Sequence, residues 1–178
     1  FIITFSVANI YGTFPLLGYQ AYGFSDLQIG YLFGIIGIAG AIVQGGLVGR
    51  LSKKFQDRIL ITFGAFFVMI GLGLLPYGGN FLGLAIIGIV LSLGTGILQP
   101  TILSLLSKVT KENEQGMVLG INQSFAAFAR MLGPLWGGIS FEYLGYEIPF
   151  LTGAFFTLII FLFGIFYLAK YVPESTRR

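Results

Sequence analysis

The sequence predicts an all-α membrane protein with six transmembrane helices, and three observations carry that prediction. Of 178 residues, 56% are hydrophobic and only 10% are charged, where soluble domains carry about 25% charged residues. The apolar residues fall in six stretches, each near the ~20 residues that a helix needs to cross a hydrocarbon core. The stretches are long and do not alternate with period two, so helices, not a closed barrel, satisfy the backbone in lipid. Finally, the basic residues collect on every second connection.

The six stretches are residues 1–22, 26–49, 59–75, 81–106, 115–141 and 149–171. The first opens at Phe1 inside an apolar run, with neither a basic flank nor a cleavage site. It is therefore read as the start of a piece of a longer chain, not as a signal peptide. The second begins in helix-start grammar. Ser25 is the N-cap and Gln28 completes a capping box, with Phe24 and Ile29 at the staple positions. Between the third and fourth, Pro76 to Asn80 reads as a tight turn. Pro149 suits the first turn of the sixth helix.

The connections after helices two and four and the C-terminal tail hold Arg50, Lys53, Lys54, Arg58, Lys108, Lys111, Lys170, Arg177 and Arg178. The connections after helices one, three and five hold no basic residue. With six alternating spans, all nine cations share one side. The positive-inside rule makes that side cytoplasmic, so both ends of the sequence are expected there. Asp26, Glu142 and Glu147 then lie outside, and Asp57, Glu112, Glu114 and Glu174 inside. The expected location is the cell (inner) membrane. The tenth basic residue, Arg130, falls in the middle of the fifth stretch.

Several function classes are excluded. There is no cysteine and no histidine, which removes disulfides, thiol chemistry and the commonest metal ligands. Intramembrane hydrolysis needs buried carboxylates, histidine, cysteine or a metal, and no carboxylate lies deep in a span. No enzyme activity, metal or cofactor is expected. The cations flank apolar runs and form no broad patch, so nucleic acid is not an expected partner.

An internal repeat is visible. Gly30–Ile35, "GYLFGI", matches Gly116–Ile121, "GMVLGI", at an offset of 86 residues, and Pro15 matches Pro100 at 85. Helices one and four run in opposite directions, as expected of two inverted three-helix repeats. Helix two carries Gly30, Gly34, Gly37, Ala41 and Gly45 at helical spacing. Helix five carries Gly116, Gly120, Ser124 and Ala127 likewise. Small residues let helices approach closely. The stripes fit either ordinary static packing or a sliding seam against a second lobe.

Motifs in order along the chain resemble the major facilitator superfamily, in particular the second six-helix half of a twelve-helix carrier. "GRLSKKFQDR", Gly49–Arg58, resembles the second copy of the family's basic loop, although it lacks the early aspartate and has Gln56 where glycine is usual. Glu114–Ser124, "EQGMVLGINQS", resembles the start of the eleventh helix of the full carrier. Ala129–Gly138, "ARMLGPLWGG", is similar to a small-x-x-x-Gly-Pro-x-x-Gly-Gly pattern. "VPES", Val172–Ser175, fits that half too. The nearest branch is the tetracycline-exporter type of drug:proton antiporter.

The resemblance implies that residues 1–178 form a C-terminal lobe, helices seven to twelve, whose N-terminal lobe is absent. It implies proton-coupled efflux of small amphipathic molecules by alternating access, with a proton gradient and no other cofactor. Nutrient or metabolite import by the same fold is the alternative, and a non-transporting scaffold or receptor module is the alternative of another class. The expected partners are a small-molecule substrate, the N-terminal six-helix lobe and the bilayer. The first and fourth helices of each half line the path in this family. Ser6, Asn9, Thr13 and Gln20 on helix one, and Ser92, Thr95 and Gln99 on helix four, are the path candidates. Routine interhelical hydrogen bonding is their other reading. Tyr11, Phe14, Tyr19 and Tyr22 could wall an aromatic pocket or simply pack.

Arg130 is costly in lipid, about 2.5–3.5 kcal/mol on insertion scales, so a seam or cavity is its expected surrounding. It either pairs with an anionic group or tethers carbonyls across the bundle. Gln123 shares its face, and Gln44 aligns with it at the 86-residue offset. Arg50, Lys53, Lys54, Asp57 and Arg58 orient the chain, and the resemblance adds a gating role. Pro15, Pro100 and Pro134 are expected bend points.

Overall fold

A computed structural model describes residues 1–168 and contains, among them, six long helical rods. They are α1 (Ile2–Tyr22), α2 (Asp26–Lys54), α3 (Asp57–Leu74), α4 (Phe81–Val109), α5 (Gln115–Leu144) and α6 (Ile148–Phe163). Lys170, Glu174, Arg177, Arg178, the motif Val172–Ser175 and the expected end of the last span at Tyr171 lie outside the described residues.

The local grammar holds. The Ser25 hydroxyl accepts from Gln28 N at 3.4 Å, and Gln28 Oε1 accepts from Ser25 N at 2.9 Å. Phe24 and Ile29 both lie against Gly18. Gly23 closes α1 in the left-handed region, φ 65°, where glycine carries no steric cost. Asn80 caps α4 by accepting from Gly83 N at 2.8 Å. Pro149 is in the first turn of α6.

Two expectations change. Five helices, not six, are apolar and long enough to cross a membrane by length and composition among the described residues. The exception is α5, which has 30 residues but carries Asn122, Gln123 and Arg130. The second change concerns the stretch Gly49–Arg58, which is mostly helix: α2 continues to Lys54, leaving only Phe55 and Gln56 between helices. Basic side chains at a helix C-terminus are favoured by its dipole, and Lys53 and Lys54 occupy that last turn. Within α2, Val43–Leu47 makes a π-helical turn around Gln44, Gly45 and Gly46. The chain stays helical through Pro15, Pro100 and Pro134.

Contacts fix the direction of each rod. Along α1 and α5, Phe1 meets Phe128, Ala8 meets Gly133 and Thr13 meets Gly137, so the two run parallel. Along α2 and α4, Ile36 meets Gly88 and Val43 meets Gly96, again parallel. The pairs α3–α4, α1–α6 and α3–α6 are antiparallel. Gly64, Val68 and Gly71 descend past Leu98, Gly94 and Leu91, and Asn9 reaches Pro149 while Phe5 reaches Phe156. Phe66 meets Phe161 while Gly73 meets Ala154. Direction therefore alternates through all six rods, α5 included.

These five pairs are the main packing of the molecule. Exchanging α1 with α4, α2 with α5 and α3 with α6 maps the set onto itself. The core between them is built from Phe14, Leu17, Leu32, Val68, Leu72, Leu84, Leu98 and Phe150. A second, smaller cluster of Val43, Val48, Leu60 and Ile97 lies at the lysine-bearing end.

Candidate functional site: the open flanks of the bundle

Four of the seven path candidates are buried, three of them on α1. Ser6, Asn9 and Thr13 share a stripe as their spacing predicts, but all three have zero exposure. The Ser6 hydroxyl donates to Ile2 O at 2.9 Å and the Thr13 hydroxyl to Asn9 O at 2.8 Å. Asn9 Nδ2 donates across to Pro149 O at 2.9 Å, and the same carbonyl accepts from the Thr152 hydroxyl at 3.0 Å. Thr152 Oγ1 in turn accepts from Trp136 Nε1 at 3.1 Å. The group links α1, α5 and α6 at a crossing where Gly133, Gly137 and Gly153 let the backbones close in. Asn9 Oδ1 is buried without a hydrogen-bond partner. These residues reach no open space in this arrangement, where their hydrogen bonds serve the helix crossing.

Helix α4 divides similarly. Ser92 is buried and donates to Ile36 O on α2 at 2.8 Å. Thr95 is half-buried and donates to its own helix at Leu91 O, 3.1 Å. Gln99 and, on α1, Gln20 are exposed. The aromatic candidates also split. Phe14 is core, and the Tyr22 hydroxyl donates to Pro76 O at 2.6 Å. Tyr11 and Tyr19 stand open, 66% and 44% exposed. The open face of α1 thus carries Tyr11, Gly12, Leu16 and Tyr19, and that of α4 carries Ile86, Ile89 and Leu103.

Helices α2 and α5 each show three faces at about 100° per residue. On α5 one face is packed, through Ala129, Gly133, Gly137 and Ser140. A second is exposed and bulky: Ile121, Phe125, Phe128 and Ile139. The third is exposed and small or polar: Gly116, Gly120, Gln123, Ala127, Arg130 and Gly138. On α2 the packed face holds Ile29, Leu32 and Val43, the bulky one Tyr31, Ile38 and Ile42, and the small one Gly30, Gly34, Gly37, Ala41 and Gln44. A methyl added at Gly30, Gly34, Gly37, Gly116 or Gly120 meets nothing within 4 Å. Static packing within the described bundle therefore does not account for these stripes. Gln44 and Arg130 occupy matching places on the two small flanks. Arg130 is exposed and, among the described residues, tethers no carbonyl.

The lysine-bearing end has an ion pair, buried on its carboxylate side, that spacing alone did not reveal. Asp57, at the first turn of α3, accepts from Lys108 Nζ on α4 at 2.6 Å. Arg50, Lys53 and Lys54 are exposed and Arg58 is half-buried. Beside the pair, Gln115 Nε2 donates to Ser107 O at 3.0 Å. At the other end, the Tyr19 hydroxyl donates to Asp26, and the Tyr77 hydroxyl to Glu147 Oε2 at 3.0 Å. The Glu147 charge pushes the Tyr146 hydroxyl above its ordinary pKa. No cluster able to hold a metal ion occurs among the described residues.

Alternating apolar rods, open small-residue flanks and a cationic end define a multi-pass integral membrane protein. The family model of the Major Facilitator Superfamily matches residues 1–178, and the chain belongs to that family. It is 25% identical over 163 residues to Multidrug resistance protein 2 of Bacillus subtilis (strain 168), covering 89% of this chain and 39% of that one. It is 26% identical over 147 residues to the Multi-drug resistance efflux pump PmrA homolog of Lactococcus lactis subsp. lactis (strain IL1403), covering 83% and 36%. It is 32% identical over 130 residues to the Riboflavin transporter RibZ of Clostridioides difficile (strain 630), covering 73% and 28%. The chain spans about two fifths or less of the length of these relatives. Two of these relatives are named for multidrug resistance and the third for riboflavin transport.

Proposed function

We propose that the chain is the C-terminal lobe of a proton-coupled exporter of small amphipathic molecules, working by alternating access. The pairwise packing, unchanged when the first three rods are exchanged with the last three, supports two inverted three-helix repeats. The alternation of direction supports α5 as a sixth span despite its polar residues. Both ends of the chain would then be cytoplasmic, in the cell (inner) membrane.

One observation carries the reading: α2 and α5 each leave open a flank of glycine, alanine and glutamine, with Arg130 among them. A charge facing acyl chains costs several kcal/mol, so intramembrane arginines face protein or water. A second lobe, supplied by the remaining length seen in the relatives, would cover both flanks. Arg130 would pair there with an anionic group of that lobe or of the substrate, and Gln44 and Gln123 would sit on the same seam. The substrate path would be walled by Tyr11 and Tyr19 with Gln20 and Gln99. Ser6, Asn9, Thr13, Ser92 and Thr95 would hold its walls together. Described spans contain no deep carboxylate, so the proton carrier belongs in the other lobe.

The test is transport by the full-length carrier in inside-out vesicles with an imposed proton gradient. Uptake of a fluorescent amphipathic dye should follow acidification of the lumen, and Arg130→Gln should cut it at least tenfold with unchanged protein level. Dye movement in the opposite direction would favour import, the second reading, which the riboflavin-transporter relative supports. A full-length chain lacking any Asp or Glu within the spans of its other lobe would defeat proton exchange.

A further inference from the structure

The inner end of α2 presents three cations on one face. Arg50, Lys53 and Lys54 stand at i, i+3 and i+4 of the segment Val48–Lys54, which places them within about 100° of arc. All three are exposed. Val48 and Leu51 turn the other way, against Leu60 and Ile97. The helix stops at Lys54 and the next residue is extended, with φ −118° and ψ 147° at Phe55. The Phe55 ring is 39% exposed and lies 5.8 Å from the Lys54 ammonium.

The carboxylate nearest in sequence does not neutralise this face. Asp57 keeps only 7% of its side chain exposed, and that carboxylate is committed to Lys108. Among the described residues neither Arg50, Lys53 nor Lys54 belongs to an ion pair. The other connection at this end is different: Lys111 is followed by Glu112 and Glu114, all exposed. Positive charge is therefore concentrated on 50–54, beside one exposed aromatic ring, where a span leaves the membrane. Removing Asp57 from the surface is what makes the patch unbalanced.

We propose that Arg50, Lys53, Lys54 and Phe55 form a binding site for the headgroup of an anionic phospholipid. The guanidinium gives paired donors to a phosphodiester, the two ammonium groups add charge, and the ring sits at the level where aromatic side chains favour the interface. Juxtamembrane basic clusters attract anionic lipid by the same electrostatics. A lipid is the occupant because an exposed ring beside the cations has no use for a free anion in water.

Native mass spectrometry of the purified full-length carrier tests this, after incubation with phosphatidylglycerol and phosphatidylcholine of identical acyl chains. Retention of phosphatidylglycerol should exceed that of phosphatidylcholine several-fold. The triple variant R50Q/K53Q/K54Q should lose the preference, K111Q should keep it, and F55A should weaken it. Raising salt from about 0.1 to 1 M should remove the preference in the unaltered chain, because the Debye length falls to about 3 Å. That measurement stands even if the triple variant fails to fold. Equal retention of the two lipids by the unaltered chain would overturn the proposal, as would a preference surviving in R50Q/K53Q/K54Q. Displacement of the lipid by millimolar inorganic phosphate would do so too, since it would mark a soluble-anion site.

Discussion

The glycines of this bundle form two populations that composition cannot tell apart. Those at helix crossings are pressed against backbone. A methyl on Gly94 would come within 2.6 Å of Val68 N and 2.8 Å of Gly64 O, and one on Gly133 within 3.0 Å of both Asn9 N and Phe5 O. Those on the flanks of α2 and α5 meet nothing within 4 Å. The first set holds the bundle closed, since lipid offers no hydrophobic drive between helices and close approach must supply the attraction. The second set contributes nothing to this bundle's own packing. Its smoothness is useful only toward something outside.

Substitution separates the two sets most sharply at Gly94 and Gly37. Gly94→Ala forces the α3–α4 backbones apart, and overpacking of this kind costs about 1–3 kcal/mol. Its thermal melt in detergent should drop well below that of the unaltered chain. Gly37→Ala should leave the melt unchanged or raised, because Ala is the better helix former. In the full-length carrier the order should invert for function at equal protein level: the bulkier Gly37→Leu should block dye transport by propping the seam open. A Gly37→Leu carrier that transports normally would remove the seam.

A smaller effect is expected at the lysine-bearing end. Lys108→Met strands the Asp57 carboxylate, of which only 7% is exposed. Breaking a fully buried pair costs about 3–5 kcal/mol, but Lys108 is 40% exposed and water can partly replace it. About 1–2 kcal/mol is the discounted expectation. Adding Asp57→Asn should recover part of the loss, and a double variant no better than Lys108→Met would show that the pair is not what joins α3 to α4.

The division between these populations was only half legible in the sequence. Helix existence and order could be read, because six apolar stretches, a capping box at Ser25 and glycine turns are local signals. The stripes on α2 and α5 could be read as stripes, but spacing says which residues share a face and not what that face meets. For this reason spacing left Ser6, Asn9 and Thr13 open between path lining and helix bonding; all three are buried, while Tyr11 and Tyr19 are exposed. The run of α2 to Lys54 was hidden because charged residues there read as a loop, although a helix end that carries lysines can emerge from the membrane without breaking. Neither the Asp57–Lys108 pair nor the Trp136–Thr152–Pro149 relay had a local signal. The members of the pair are 51 residues apart.

The smallest expected effect, at Asn9, tests how the packed crossings tolerate polarity. Its Nδ2 donates to Pro149 O at 2.9 Å while its Oδ1 is buried without a partner. A net hydrogen bond is worth about 0.5–1.5 kcal/mol, and an unsatisfied buried acceptor costs about 1–3 kcal/mol. Asn9→Leu removes both terms at once and keeps the branching at Cγ. Pro149 O still accepts from Thr152, so the carbonyl is not abandoned. The two terms nearly cancel, and the melt of Asn9→Leu should lie within about 1 kcal/mol of the unaltered chain. A loss above about 2 kcal/mol would mean that Oδ1 is hydrogen-bonded in the membrane and that this crossing, like the flanks, looks outward to a polar partner.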